Sequence, residues 1–126
     1  MIHLLPLLAA FTGPDPAPAL QAVRTCDRAA MMAMTRAEPR RRAEWAAAAY
    51  TEQQAIARER AALLAPAAVP VTPAGQATNN LALAALDARQ KQLDDARAVE
   101  MGWRALMDEL RADFLANCAP TKGWKD

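Results

Sequence analysis

Two long stretches of the chain place apolar residues three or four positions apart, which predicts two amphipathic helices. The clearer stripe comprises Leu86, Leu93, Ala96, Val99, Trp103, Leu106, Met107, Leu110, Phe114 and Cys118. The fainter one, in the first half, comprises Val23, Cys26, Ala30, Met34, Ala37, Trp45, Ala48, Ala49, Ile56 and Leu63. Because several of these are alanines, we expect close helix packing that leaves little room for a ligand.

The two stretches are separated by a proline-rich segment at residues 66–75, PAAVPVTPAG, which predicts a loop. Its Thr72 and Pro73 are a favourable N-cap and first-turn pair for the second helix. That helix is expected to end at Cys118, before Pro120. The fold class predicted is therefore all-α, a long antiparallel two-helix hairpin.

Pro39 is the weak point of the first arm, because proline lacks a backbone donor and disfavours helix at Glu38. Thr35 and Glu38 have the spacing of a capping box. The arm is therefore expected to be kinked or broken near Pro39. A continuous, kinked arm is preferred, since it alone brings Cys26 near Cys118, and a three-helix bundle is the alternative.

Cys26 and Cys118 lie at nearly equal distances from the proline-rich loop, so folding the chain there brings them together. We predict a disulfide that closes the open end of the hairpin. The disulfide would close a loop of 92 residues. In the chain-entropy model, closing a loop of that length stabilises the folded protein by roughly 4 to 5 kcal/mol.

The N-terminus has the pattern of a secretory signal peptide, with an apolar run from Leu4 to Phe11 and a small-x-small site at Ala17-Pro18-Ala19. The run is too short for a transmembrane helix and contains Pro6. The expected organisation is a signal peptide at 1–19, a helical hairpin domain at 20–118 and a short tail at 119–126. Periplasmic or secreted localisation follows, and disulfides persist in such compartments.

Charge gives a second argument for pairing of the arms. Residues 20–65 have a formal charge of +3 and residues 76–118 a charge of −2. The hairpin register places Arg36, Arg40, Arg41 and Arg42 opposite Glu100, Asp108 and Glu109. An alternative function for the cluster from Arg36 to Arg42 is binding an anionic surface. A net charge near +2 after removal of the signal peptide, and the absence of aromatic residues interleaved with the basic ones, argue against nucleic acid.

Catalytic chemistry has little support. The single histidine, His3, lies in the expected signal peptide, so the mature chain has no histidine as general base. Asp94 and Asp95 are adjacent and point about 100° apart on a helix. We find no CxxC motif and no glycine-rich phosphate loop in the sequence. The prediction is a non-enzymatic protein without a cofactor or small-molecule substrate.

Several methionines are expected near the closed end of the hairpin. Met31, Met32 and Met34 lie close together in sequence, and Met107 is expected across from them. Thioethers bind copper(I) and silver(I), so a periplasmic soft-metal protein is an alternative function. The structural interpretation is that methionine fills gaps in the core.

The segment Tyr50-Thr51-Glu52-Gln53-Gln54 resembles the L-T-x-x-Q motif of the Spy and CpxP periplasmic stress proteins, with Tyr50 in place of leucine. The resemblance covers five residues and implies an analogous compartment and helical architecture. The function expected is binding of another cell-envelope protein, or self-association, in an adaptor or chaperone-like role. The residues expected to bind the partner are Tyr50, Arg40, Arg41, Arg42 and Trp124.

Overall fold

The computed structural model describes residues 13–118, and all regular structure among them is α-helical. The helices are α1 (Ala17–Arg24), α2 (Arg28–Leu64) and α3 (Pro73–Asn117). The predicted all-α class is confirmed. Within the described range, none of the helices combines the length and hydropathy needed to cross a membrane. The tail at 119–126 and most of the predicted signal peptide lie outside the described residues, although Ala17, Pro18 and Ala19 begin α1.

Side-chain caps determine where the two long helices begin. Asp27 accepts a hydrogen bond from the backbone N–H of Ala30 at 3.0 Å and caps α2. Thr72 accepts one from Gly75 N–H at 3.0 Å and caps α3, with Pro73 in the first turn. The predicted N-cap of the second helix is confirmed, and the loop spans residues 65–72, somewhat earlier than the predicted 66–75.

Pro39 lies inside α2, and the helix is not divided there. The capping box predicted at Thr35 is wrong, since the Thr35 hydroxyl donates instead to the Met31 carbonyl, one turn earlier, at 2.9 Å. The local preference against helix at Glu38 is overcome because the flanking turns are held by packing and ion pairs with α3.

The first arm is interrupted at residues 25–27 instead. There the Cys26 N–H donates to the Val23 carbonyl at 3.3 Å and the Asp27 N–H to the Ala22 carbonyl at 2.9 Å. These bonds form the Schellman motif, which ends a helix with one residue in the left-handed region. Cys26 is that residue, with φ of 50°.

Helices α2 and α3 lie side by side and run in opposite directions. The contacts between them show this direction, because residues later in α2 contact residues earlier in α3. The pairs are Arg41 with Glu100, Gln53 with Gln90, and Arg60 with Asp87. All the buried apolar side chains except Ala96 form two clusters. The cluster nearer the loop contains Ala49, Ile56, Leu86 and Leu93. The cluster at the other end contains Ala19, Ala22, Met31, Met107, Leu110, Phe114 and Cys118.

A disulfide joins Cys26 to Cys118, as predicted, with 5.4 Å between their Cα atoms. It ties the turn between α1 and α2 to the C-terminal end of α3. Helix α1 packs against both long helices, and the side chain of Ala19 is completely buried. The short helix therefore belongs to the core of the disulfide-linked end.

Candidate partner-binding groove

Two buried carboxylates link α2 to α3 beside the core of the disulfide-linked end. Glu38 on α2 and Glu100 on α3 are 9% and 3% exposed. Arg41 lies between them, with its Nε atom 2.7 Å from Glu38 Oε1 and its Nη1 atom 2.8 Å from Glu100 Oε2. Arg42 donates to Glu38 and Arg104 to Glu100, so each carboxylate receives bonds from two arginines.

These contacts change the proton affinity of the carboxyl groups. Burial by itself would raise the pKa of Glu38, but hydrogen bonds from Arg41, Trp103 and Arg42 outweigh it and lower that pKa to about 2. The pKa of Glu100 is also lowered, because bonds from Arg41 and Arg104 outweigh its burial. The pKa of Arg41 is raised by its bonds to Glu100 and Glu38. The network therefore stays ionised at neutral pH.

Next to this network, a groove opens between α2 and α3 and extends toward the disulfide. We call it the disulfide-end groove. One cavity, of about 380 Å³, is lined by Thr35, Glu38, Pro39, Arg42, Met107, Asp108 and Arg111. The adjoining one, of about 250 Å³, is lined by Arg28, Met31, Met32, Thr35, Arg36, Arg111, Phe114 and Leu115. Thr35 and Arg111 line both cavities, so the two cavities are neighbours, and the name disulfide-end groove covers both. The expectation that the helices leave little room between them is therefore wrong at this end.

The surface of the groove is apolar at its centre and basic at its edges. Met32 and Leu115 are 38% and 51% exposed, while Met31 and Phe114 form the buried floor. Four arginines and two carboxylates line the two cavities together. Among residues 13–118, the exposed guanidinium groups of Arg36 and Arg111 make no hydrogen bond or ion pair. Two unneutralised positive charges therefore flank exposed apolar surface.

The groove lies on the side of α3 opposite the α1 segment. The position of Gly13, which precedes α1, is so close to α3 that an added Cβ would lie 2.8 Å from Val99 Cγ1. Val99 and Leu115 are sixteen residues apart, which corresponds to about 160° around the helix axis. None of the groove-lining residues belongs to α1. Helix α1 therefore covers one side of the α2–α3 pair and leaves the groove side open.

Among residues 13–118, the side chains predicted to bind a partner have different surroundings. Arg41 and Arg42 are held in the network with Glu38, and Arg40 forms an exposed pair with Glu44. The predicted pairing across the hairpin is observed for Arg41 with Glu100. Tyr50 is 67% exposed but lies outside the groove, and Trp124 lies outside the described residues. Partner binding by these side chains stays a prediction.

The predicted methionine cluster is divided between core and surface. Met31 and Met107 are buried with Phe114, and Met34 packs against the same cluster. Met32 is partly exposed at the groove. In the part of the chain that the structure describes, no group of three or more His, Cys, Asp or Glu side chains could hold a metal ion. These positions give the methionines a packing role, and soft-metal binding by their thioethers stays a prediction.

Arg28 and Arg111 line the groove but were not predicted from the sequence. A register centred near Thr72 places Arg36 about one turn from Arg111 across the two helices. The proximity of Arg36 and Arg111 could therefore have been predicted from their spacing along the chain. The spacing does not show which arginines form ion pairs with carboxylates and which do not.

Comparison of the chain with protein-family models, curated proteins and solved structures finds no match.

Proposed function

We propose that this is an exported, non-enzymatic helical protein that binds another cell-envelope protein, or a second copy of itself, through its disulfide-linked end. The observation that carries the proposal is the disulfide-end groove, where exposed Met32 and Leu115 lie beside Arg36 and Arg111, which form no ion pair within residues 13–118. Methionine-rich apolar surfaces adapt to partners of different shape, and arginine is enriched at protein interfaces.

The architecture proposed for this function is a two-helix hairpin, α2 and α3, with α1 as a cap on one side. The disulfide and the Glu38–Arg41–Glu100 network both connect the helices at the groove end. Because the groove walls are connected at two levels, we expect the distance between them to change little when a ligand binds. A rigid groove loses less conformational entropy on binding than a flexible one.

Export is supported by the disulfide, since disulfides persist mainly in oxidising compartments. Cleavage after Ala19 would remove three residues of α1, including a completely buried side chain. We therefore propose processing upstream of Gly13, which keeps α1 whole. Mass spectrometry of the protein exported by its own host tests this, with tryptic digestion carried out without reduction. A retained Met1, or two thiols that can be alkylated, would contradict export.

Photocrosslinking in the native host tests partner binding. A photoreactive phenylalanine analogue is placed at Met32 or Leu115 in the groove, and at Leu81 as an exposed control far from it. Leu81 is 74% exposed, so the control is at least as accessible as the groove positions. We expect one crosslinked species of defined mass from both groove positions and none from Leu81.

The crosslinked mass distinguishes a different protein from a second copy of this chain. Analogues at Tyr50, Arg40 and Arg42 test the binding residues predicted from the sequence. If none of the groove positions yields a specific product, binding through the disulfide-linked end is wrong. Products obtained equally from Leu81 and the groove would indicate contact without specificity and would contradict it as well.

A further inference from the structure

We infer that the ligand of the disulfide-end groove is an acidic amphipathic helix of another protein. This inference rests on the function proposed above and specifies the chemistry of the partner. The groove lies between two antiparallel helices and has an apolar floor, and the arginines Arg36 and Arg111 at its edges have no partner in the part of the chain that the structure describes.

The shape of the groove favours a helix. Its lining on α2 extends from Arg28 to Arg42, which corresponds to about 20 Å along the helix axis. Three to four turns of a ligand helix have that length. Helix α1 packs against both α2 and α3 on the opposite side. The α2–α3 pair therefore already binds one helix along the line where the two helices meet.

The chemistry of the lining favours an amphipathic ligand with acidic residues. Met31, Met32, Phe114 and Leu115 provide contacts for an apolar stripe at positions i, i+3, i+4 and i+7. Arg36 and Arg111 come from different helices, so they can pair with carboxylates on either side of that stripe. Arginine forms two parallel hydrogen bonds with a carboxylate, which adds specificity.

Two carboxylates line the groove beside the arginines. Glu38 is neutralised by Arg41 and Arg42, and Asp108 lies 3.9 Å from Arg42. Among residues 13–118, neither carboxylate forms an ion pair with Arg36 or Arg111.

The charge of the chain's own tail argues against the tail as the occupant. Residues 119–126 contain Lys122 and Lys125 and one acidic residue, Asp126. Lysines placed beside Arg36 and Arg111 would repel them. A second copy of the chain is a less favourable ligand, because its acidic helix α3 already buries its apolar side chains, such as Leu93, Met107 and Phe114, in the core of its own chain.

The experiment uses the oxidised protein and a fluorescent synthetic helix of sixteen residues, with leucines at i, i+3, i+4 and i+7 and glutamates beside them. The matched peptide has lysine in place of each glutamate. Fluorescence anisotropy is measured at low and at moderate salt. We expect saturable binding of the glutamate peptide, weaker binding at moderate salt, and no binding of the lysine peptide.

Protein variants locate the binding site. Arg36→Glu combined with Arg111→Glu should weaken the affinity for the glutamate peptide by about tenfold or more. Arg58→Glu with Arg97→Glu makes the same change in net charge on the same two helices outside the groove, and should leave the affinity within about twofold. Circular dichroism and thiol alkylation verify that each variant is folded and oxidised.

Three results would overturn the inference: equal binding of the two peptides, equal loss in both double variants, or tighter binding to phosphatidylglycerol vesicles that depends on Arg36 and Arg111. If crosslinking at Met32 and Leu115 identifies a partner while the peptide does not bind, the acidic-helix inference fails and the proposed function stands. If crosslinking gives no specific product, the proposed function itself fails.

Discussion

Trp103 on α3 donates a hydrogen bond from its indole Nε1 to Glu38 Oε1 on α2 at 2.9 Å. The same indole lies beneath Arg41, whose guanidinium carbon is 5.7 Å from the ring centroid. One side chain therefore contacts both members of a buried ion pair. Trp103 therefore helps to position Glu38 and Arg41 relative to each other, and its ring packs against the core of the disulfide-linked end.

Trp103→Phe should lower the free energy of unfolding by about 1.5 to 3 kcal/mol, because it removes a hydrogen bond to a charged, buried carboxylate and keeps most of the ring packing. Urea denaturation followed by circular dichroism measures the change. The control is Trp103→Phe in a Glu38→Gln background, where a substantially smaller loss is expected. An equal loss in both backgrounds would attribute the effect to packing alone.

The stability of the protein should fall at acid pH. The pKa of Glu38 is lowered from 4.5 to about 2 in the folded protein. Between these values the unfolded chain binds more protons, so the stabilisation is complete above about pH 4.5 and is lost as pH falls toward 2. Glu100, whose pKa is also lowered, acts in the same direction. The contribution of Glu38 is on the order of 3 kcal/mol at most.

Urea denaturation at several pH values between 2 and 7 checks this dependence. Glu38→Gln should flatten the slope between pH 4.5 and 2. Glu109→Gln, which removes an exposed carboxylate on α3, controls for the loss of one negative charge. A slope unchanged by Glu38→Gln would show that this carboxylate does not link proton binding to folding.

The left-handed backbone of Cys26 makes a further prediction. In a Cys118→Ala background, where no disulfide can form between these positions, Cys26→Gly should be more stable than Cys26→Ala by about 1 kcal/mol. Glycine adopts φ of 50° without the steric cost that alanine incurs. At Thr25, where φ is −98°, the same pair of substitutions should show no advantage for glycine. Chemical denaturation of the four variants tests the difference.

Gly102→Ala should stabilise the protein by about 0.5 to 1 kcal/mol. Gly102 lies inside α3, where alanine has the better helix propensity, and an added Cβ would meet nothing within 4 Å. Gly75→Ala is the matched comparison, since its Cβ would lie 3.1 Å from Val71 Cγ1 and 3.2 Å from the capping oxygen of Thr72. We expect little or no gain there, and an equal gain at both positions would contradict the packing argument.

Much of the helical framework could be predicted because it depends on short-range chemistry. Helix α3 is an example. Its apolar stripe, from Leu86 to Phe114, repeats every three or four residues, and its cap, Thr72–Pro73, bonds to the first turn, so the beginning of α3 follows from local sequence. The disulfide was also predictable, because the two cysteines are placed almost evenly about a proline-rich loop. In each case the relevant spacing can be counted along the chain.

The errors arose where distant contacts outweighed local preference. Pro39 and Thr35 favour a helix end, yet α2 continues because Glu38, Arg41 and Arg42 are held against α3. The actual interruption at Cys26 has no glycine to mark it. It is stabilised by a Schellman motif and a disulfide to a residue 92 positions away.

The sequence by itself determined that this protein is helical, where its longest helix begins, and which cysteines pair, because periodicity, capping and loop closure are properties of order along the chain. Only the tertiary structure decided that Arg41 bridges Glu38 and Glu100, and that Arg36 and Arg111 beside the groove form no ion pair within residues 13–118. The arginines of a cluster are chemically alike. Which of them faces a carboxylate is settled by the angle at which two helices pack, and that angle depends on all the side chains between them.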